Sequence, residues 1–197
     1  MKMDSKAERP EQTDEEVAKR VQKGDGQAFG MLVDRYEGKM LRYAKKFIYD
    51  GEEAKDLVQD VFVKAYTNIQ SFDSKRRFSP WIYRIAHNEF VNSLKRRSNS
   101  KVFSLDLDVL FPYPTSDDTA DGEFQKKELR TILDKNLGRL DPKYREPLVL
   151  YYYEDMDYRN ISSVLEVPVS TVGVRILRGK AMLKKLLAEQ ENYGTKQ

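Results

Sequence analysis

The sequence predicts an all-α fold, in which two small helical domains near residues 10–97 and 124–190 are joined by an acidic, largely unstructured linker over residues 98–123. Three observations predict this fold. Apolar residues recur at helical spacing on both sides of the linker, and no strand-like alternation competes with them. The linker holds two prolines and clustered Asp and Ser, with no helical period. A length of 197 residues, of which 40% are hydrophobic and 34% charged, suffices for two such domains.

The first domain is predicted to contain four helices, over residues 14–24, 26–48, 51–69 and 81–97. Asp14 is the expected N-cap of the first helix, and Gly24 is its expected end. The segment SFDSKRRFSP then interrupts the helical period. Pro80 stands where the first turn of a helix tolerates proline.

The second domain is predicted to contain helices over residues 123–140, 141–155 and 157–167, followed by a last helix capped by Ser170. A tight turn over residues 166–169 joins the last two. Their apolar residues can form one shared core, made of Ile161, Val164, Leu165, Val167, Val172, Ile176 and Leu183. Gly179 lies on the same stripe and would permit close helix approach. This pattern is typical of a helix-turn-helix, whose second helix enters the major groove of DNA.

The last helix is biased toward positive charge, with five basic and no acidic residues between 169 and 187. If the apolar stripe is buried, the outward face carries Gly173, Val174, Leu177 and Arg178. Arg178 can donate two hydrogen bonds to a guanine, a contact that gives about 1–3 kcal/mol of discrimination. A self-sufficient DNA-binding regulator needs roughly 4–10 kcal/mol. The sequence therefore predicts a second DNA-reading site or a partner that fixes the position of this helix.

A second basic surface is expected in the first domain, where basic and aromatic residues are mixed between residues 76 and 84. Cations bind the phosphate backbone, while aromatic and amide groups hold unstacked bases. This surface is predicted to bind a single strand or a melted duplex, through Arg76, Arg77, Phe78, Ser79, Trp81, Arg84, Asn88, Asn92 and Lys95. For Phe78 and Trp81, packing in the core is an equally weighted alternative.

The helix before that surface has the opposite charge. Residues 50–60 hold five acids and one base, and helical spacing places one set of residues outward: Asp56, Gln59, Asp60 and Val63. An acidic face does not bind DNA, so we expect it to meet a basic protein surface. An ordinary solvated face remains the alternative.

The composition excludes several classes of site. The chain has no Cys, so it forms no disulfide, thiol nucleophile or Cys-based zinc site, and its single histidine, His87, cannot build a multi-histidine metal centre. The N-terminus has no apolar signal-peptide core, and no run approaches the roughly 18 apolar residues that span a bilayer. We therefore expect a cytoplasmic protein that is not inserted in a membrane.

A metal-dependent hydrolase is an alternative of a different class. Helical carboxylates can hold metal ions, and four acidic residues lie close together, Glu52, Glu53, Asp56 and Asp60. No second histidine and no second acidic helix face accompany them. We therefore expect no enzyme activity and no cofactor.

Four segments, in order along the chain, resemble the sigma-70 family of bacterial transcription initiation factors, in its extracytoplasmic function (ECF) group. They are RVQKGDGQAF, DLVQDVFVKAY, FSPWIYRIAHN and YYYEDMDYRNISSVLEVPVSTVGVRILRGKAML. The resemblance covers most of the chain. It implies that the first domain is sigma region 2 and the second is sigma region 4, without the domain that separates them in larger members.

The resemblance also implies a role for each surface. The acidic helix face would bind the clamp helices in the largest subunit of core RNA polymerase, and region 4 would bind the flap of the second-largest subunit. Asn88, with the loop over residues 74–79, would capture a flipped base of the minus-10 element. The minus-35 element would be read by Arg159, Ser170, Thr171, Gly173, Val174, Arg175, Leu177 and Arg178. The acidic part of the linker, residues 105–123, would thread the channel that later holds RNA. An anti-sigma factor would be a further partner, able to hold the chain at the membrane.

Two aspects of the DNA-binding activity stay open, namely which residues contact the bases and whether the protein acts without polymerase. Gly173 and Val174 replace the basic or hydroxyl residues that family members often carry, which shifts the expected base contacts toward Ser170, Thr171, Arg175 and Arg178. The alternative function is an autonomous helix-turn-helix transcription regulator. That protein would bind duplex DNA tightly without polymerase, whereas a sigma factor binds it weakly alone.

Overall fold

The computed structural model describes residues 12–48, 50–97 and 136–194. Seven α-helices are found there: α1 Asp14–Gln22, α2 Phe29–Ala44, α3 Gly51–Thr67, α4 Phe78–Arg97, α5 Pro142–Tyr152, α6 Tyr158–Leu165 and α7 Val169–Gly194. Three short 3-10 turns complete them, at Gly26–Ala28, Ile69–Ser71 and Leu137–Arg139. The all-α prediction is confirmed, since these residues contain no strand. The linker over residues 98–123 and most of the helix predicted over 123–140 lie outside the described residues.

The first helix begins on a different cap from the one predicted. Thr13, not Asp14, is the N-cap, and a capping box joins its backbone and side chain to Glu16. Asp14 instead accepts hydrogen bonds from Arg35, at 2.7 Å, and from the Tyr36 hydroxyl, at 2.6 Å. The prediction missed this because Thr and Asp are both good caps, and sequence alone does not choose between neighbours.

Helices α1–α4 form the first domain around one apolar core. Helix α4 begins at Phe78, three residues before the predicted start, so that Pro80 lies within its first turn. A residue of another helix caps its N-terminus, because the Phe78 backbone N–H donates to the Glu15 carboxylate of α1 at 2.9 Å. The Gln22 amide similarly donates to the carbonyls of Ile69 and Phe72. The first contact fixes α4 against α1, and the second fixes the turn that precedes α4 against the same helix.

Helices α5–α7 form the second domain, and α6 and α7 are its helix-turn-helix. Asp157 caps α6 by accepting the backbone N–H of Asn160 at 2.7 Å. The chain leaves α6 through Glu166, whose φ of 54° lies in the left-handed region. Helix α7 then begins at Val169, so the predicted N-cap, Ser170, is already inside the helix. The prediction placed the start two residues too late, within the ordinary uncertainty of helix ends.

The core predicted for the helix pair is confirmed. Six of its seven residues are buried, and Val167 packs against them half-buried. Gly179 brings α7 close to α5: a Cβ at this position would lie 2.7 Å from Leu148 Cδ1 and 3.2 Å from the carbonyl oxygen of Tyr144. The absence of a side chain at Gly179 therefore positions α7.

The two domains pack against each other, which the sequence did not predict. Helix α4 of the first domain lies along α6 of the second. The Arg145 guanidinium of α5 joins them, donating to the carbonyl of Lys46 at 3.0 Å and to the carbonyls of Gly138 and Leu140 within its own domain. The Lys46 ammonium in turn lies 4.4 Å from the ring centroid of Tyr153.

Candidate protein and nucleic-acid interfaces

The acidic face of α3 points away from the rest of the molecule, as predicted. Its four residues are exposed, namely Asp56, Gln59, Asp60 and Val63, and the last of these keeps 61% of its surface in solvent. The opposite side of the helix is buried through Leu57, Val61 and Ala65. An exposed valine between carboxylates offers a partner both an apolar contact and negative charge.

A groove of about 420 Å³ runs along this face between α2 and α3. Its walls include Val33 and Leu41 of α2, which the sequence analysis did not select, together with Val58 and Phe62 of α3. Glu37 and Lys55 stand among its lining residues and supply charge of both signs. The α2 residues were not predicted because, in the sequence, half-buried apolar side chains cannot be distinguished from ordinary core residues. Only the packing of the two helices shows that they line a groove.

Phe78 does not reach the predicted DNA-binding surface. It is fully buried, with its ring 5.5 Å from Tyr36, 5.3 Å from Phe72 and 5.4 Å from Trp81, measured between centroids. Core packing, the alternative that the sequence left open, therefore holds for Phe78. Trp81 is half-buried and packs on the same cluster, with its ring 5.3 Å from that of Phe72 between centroids.

The polar members of this surface are accessible. Arg76 and Arg77 are exposed in the loop before α4, and Ser79 is half-buried in its first turn. Arg84, Asn88 and Asn92 follow one another at one-turn spacing and are all exposed. Lys95 lies on α4 beyond the residues whose side chains the structure describes.

The start of α7 presents the residues predicted to read duplex DNA. Ser170 and Leu177 are exposed, and Arg159 of α6 is exposed beside them. The other five are half-buried: Thr171, Gly173, Val174, Arg175 and Arg178. Gly173 lies against Tyr158, because a Cβ added there would be 3.6 Å from its ring. The outward face thus combines two arginines with an apolar Leu177 that keeps 52% of its surface exposed.

Between the domains lies a polar cluster that the sequence analysis missed. Glu146 of α5 is buried, accepts a hydrogen bond from the Tyr43 hydroxyl of α2, and lies 2.7 Å from Nδ1 of His87 on α4. Burial and the neighbouring Glu146 carboxylate raise the pKa of Tyr43. The cluster gave no local signal, since Tyr43 and Glu146 are 103 residues apart in the chain.

Two further contacts extend this cluster along α4. The Glu154 carboxylate accepts from the Tyr83 hydroxyl, and the Glu166 carboxylate pairs with the Arg84 guanidinium. Burial raises the pKa of Glu154, although the hydroxyl of Tyr83 and the positive charges of Arg42 and Lys39 act in the opposite direction.

Neither a membrane-spanning segment nor a metal-binding cluster is found in the parts of the chain that the structure describes. None of the helices there is both long and apolar enough to cross a bilayer. No three or more His, Cys, Asp or Glu side chains there come together as potential ligands of one metal ion.

Comparison with known proteins identifies both domains. Residues 32–100 match the family model of sigma-70 region 2, and residues 130–183 match that of sigma-70 region 4. The ECF RNA polymerase sigma factor SigW of Bacillus subtilis is 35% identical over 181 residues, covering 87% of this chain and 95% of that protein. The ECF RNA polymerase sigma-E factor of Escherichia coli K12 is 31% identical over 174 residues, covering 85% and 91%.

A solved structure resembles most of the chain. The structure of CnrH in complex with the cytosolic domain of CnrY matches with a TM-score of 0.67 and 29% identity, over 90% of this chain and 99% of that one. The sigma factor RpoE of Bartonella quintana, solved with the anti-sigma factor NepR, has a TM-score of 0.58 at 21% identity, and so shares the fold.

Proposed function

Since this chain belongs to the sigma-70 family, in its extracytoplasmic function group, we propose that it binds core RNA polymerase and directs it to promoters through two separate DNA-reading helices. The first domain, residues 10–97, acts as region 2, and the second, residues 124–190, acts as region 4. Each reader is weak by itself. Polymerase supplies the frame that holds both at a fixed distance.

The exposed acidic face of α3 is the proposed contact with polymerase. The clamp helices of the largest subunit pack on Val63 and the adjoining groove, and their basic side chains meet Asp56 and Asp60. Support comes from the exposure of this face. An anti-sigma factor would compete for the same apolar groove, which fits the anti-sigma partner named for the similar RpoE structure.

The α4 surface is the proposed minus-10 reader. The exposed row of Arg84, Asn88 and Asn92 combines one cation for phosphate with two amides that can bind the edge of an unstacked base. Arg76 and Arg77 lie at the N-terminal end of the row and add positive charge. Phe78 supports the surface from the core by packing beneath Trp81.

The start of α7 is the proposed minus-35 reader. Arg178 is the residue assigned to base recognition, and Arg175 is assigned to phosphate. Ser170 and Thr171 add hydroxyl groups in the first turn, where helix N-termini favour anions. Region 4 would also bind the flap of the second-largest polymerase subunit, and the whole assembly would work in the cytoplasm.

One observation carries this proposal most strongly: opposite charges lie on adjacent helices of one domain. The α3 face carries two carboxylates, while α4 and the loop before it carry three exposed arginines. DNA repels the first surface and attracts the second, so the domain is suited to bridge a protein and a nucleic acid.

Run-off transcription with purified core polymerase on a pool of promoters tests the proposal. The chain should produce transcripts that polymerase alone does not. Asp60→Lys should abolish them, and Asp60→Asn should reduce them, by removing charge from the polymerase contact. Gln27→Lys, which makes the same net charge change as Asp60→Asn on an exposed turn, should transcribe normally. Full activity of Asp60→Lys would refute the assigned contact, and tight binding to duplex DNA without polymerase would favour an autonomous regulator.

A further inference from the structure

The loop between α3 and α4 carries two exposed arginines, Arg76 and Arg77, and we call residues 73–77 the arginine loop. All of its residues are exposed except Ser74, which is half-buried. Within the loop, the Asp73 carbonyl accepts the Arg76 backbone N–H at 2.9 Å. A local turn of this kind does not fix the direction in which the loop points, so the contacts at its two ends decide how the arginines are presented.

Helix α1 holds both ends of the arginine loop. Before the loop, the Gln22 amide donates to the carbonyls of Ile69 and Phe72, at 2.8 and 2.7 Å. After it, the Glu15 carboxylate accepts the Phe78 backbone N–H at 2.9 Å. The partners in these three contacts are 47, 50 and 63 residues apart in the chain, so only the folded domain brings them together.

The spacing of the two holding residues matches the geometry of an α-helix. Glu15 and Gln22 are seven positions apart, so they lie on nearly the same face of α1, separated by about 10 Å along its axis. The segment from Phe72 to Phe78 could span about 20 Å if it were fully extended. Holding its ends at roughly half that reach makes the loop bulge outward, in agreement with the exposure of residues 73–77.

The Glu15 contact takes the place of an ordinary cap on α4. The residue before this helix is Arg77, whose guanidinium has no hydrogen-bond acceptor and cannot cap an N-terminus. Asn, Asp, Ser or Thr is preferred at this position. Because Glu15 supplies the acceptor from α1, and because its negative charge suits the N-terminus of a helix, position 77 is free to carry a cation.

Helix α1 is itself anchored within the domain, so it can serve as a rigid support. Asp14 accepts hydrogen bonds from Arg35 and from the Tyr36 hydroxyl of α2. The Gln70 amide, in the turn before the arginine loop, donates to the backbone carbonyl of Gln22 at 3.0 Å. The apolar side of α1 is buried, through Val17, Ala18 and Val21. The position of the loop therefore depends on a helix that is packed on its other sides.

We propose that α1 is the positioning element of the minus-10 reader: Glu15 and Gln22 hold the arginine loop in the arrangement in which Arg76 and Arg77 meet the phosphates of the melted strand. The proposal rests on the function proposed above and adds two residues that do not themselves touch DNA. A loop released from α1 would have to be ordered again on binding, which weakens the complex. The polymerase contact lies on α3 and does not depend on the loop.

Substitutions that keep the shape of a side chain but change its hydrogen bonding test the two contacts. Gln22→Glu places a carboxylate against two carbonyl oxygens, so the holoenzyme should form about 10- to 50-fold less open promoter complex. Glu15→Ala should reduce it about 5- to 20-fold, whereas Glu15→Gln keeps an acceptor and should stay within about twofold of the wild type. Glu16→Ala is the matched control, because it removes a hydrogen bond to Thr13 in the same helix and leaves the loop contacts in place.

Three measurements separate positioning from a loss of stability. Permanganate reactivity of unpaired thymines measures the open complex, on the promoter that gives the strongest run-off transcript. Competition with the labelled wild-type chain measures binding to core polymerase. Because α3 and the arginine loop belong to one domain, a destabilised domain would lose both activities, whereas a misplaced loop loses only the first. In the free chain, hydrogen exchange of the Phe78 amide should be faster in Glu15→Ala but not in Glu15→Gln.

A double variant tests whether an arginine is the group that α1 positions. Arg77→Ala should weaken open-complex formation several-fold in the wild type, but by less than about twofold in Gln22→Glu, because the guanidinium is already misplaced there. Additive effects, or normal open-complex formation by Gln22→Glu, would overturn the positioning role. So would a Gln22→Glu chain that also loses polymerase binding, since its defect would then be structural. A wild-type chain that directs no transcription refutes the sigma function itself, whereas failure of the variants alone refutes only the positioning.

Discussion

Replacing Gly179 by alanine tests how closely α7 must approach α5. The new Cβ would lie 2.7 Å from Leu148 Cδ1, 3.2 Å from Leu148 Cγ and 3.2 Å from the Tyr144 carbonyl oxygen. Real Cβ contacts almost never fall below 3.0 Å. Leu148 is fully buried and cannot turn toward solvent, and the carbonyl belongs to the backbone of α5. Helix α7 must therefore move outward, carrying the proposed minus-35 reader with it.

The magnitude follows from two opposing effects. Overpacking a buried helix contact costs about 1–3 kcal/mol. Replacing glycine by alanine within a helix stabilises it by about 1 kcal/mol. We therefore expect Gly179→Ala to destabilise the second domain by about 1 kcal/mol. Gly38→Ala is the matched control, because Gly38 is exposed within α2 and its added Cβ would lie 3.5 Å from the Arg42 guanidinium, which can move away. It should stabilise its domain by about 0.5–1 kcal/mol.

Urea unfolding followed by circular dichroism measures the free energies, and hydrogen exchange with mass spectrometry assigns them to domains. Faster exchange in α5 and α7, with α2 unchanged, is the expected pattern for Gly179→Ala. The helix propensity term is common to both variants, so their difference isolates packing at about 1–3 kcal/mol. A Gly179→Ala protein as stable as Gly38→Ala would refute the close approach of the two helices.

Three other predictions concern region 4. Arg178→Ala should weaken binding of polymerase holoenzyme to its minus-35 duplex about 5- to 150-fold, measured by fluorescence anisotropy, and an equal loss on all DNA sequences would contradict base reading. Asp157→Ala should destabilise α6 by about 1 kcal/mol in urea unfolding, whereas Asp157→Ser should retain the cap. Because burial raises the pKa of Glu154, the free energy of unfolding should increase as the pH falls through that raised pKa and decrease as the pH rises through it; Glu154→Gln should lose this step in urea unfolding measured at a series of pH values.

The faces of single helices could be predicted from the sequence, because local spacing determines them. The exposed row of Asp56, Asp60 and Val63 follows from the buried row of Leu57, Val61 and Ala65 at the same one-turn spacing. The core of the helix-turn-helix followed in the same way. In both cases a residue's direction depends only on its neighbours one turn away.

Phe78 shows where this reasoning stops. An aromatic residue beside bases is suited both to stacking on a nucleotide and to filling a core. The choice is made by Tyr36 and Phe72, which lie in other elements and surround the ring. Nothing within one turn of Phe78 carries that information.

The contacts between the two domains could not be predicted for a related reason. For Glu166, the sequence also allows a simpler interpretation. Glu166 stands three residues before α7, where an anion stabilises a helix N-terminus without any contact to another domain. Its partner Arg84 is 82 residues away, and Tyr83 and Glu154 are 71 residues apart. If Glu166 acts only on the N-terminus of α7, Glu166→Arg should destabilise that helix whichever residue occupies position 84. If Glu166 also pairs with Arg84, the additional change Arg84→Glu should reverse the destabilisation caused by Glu166→Arg. Dependence on the distant partner therefore distinguishes the two interpretations.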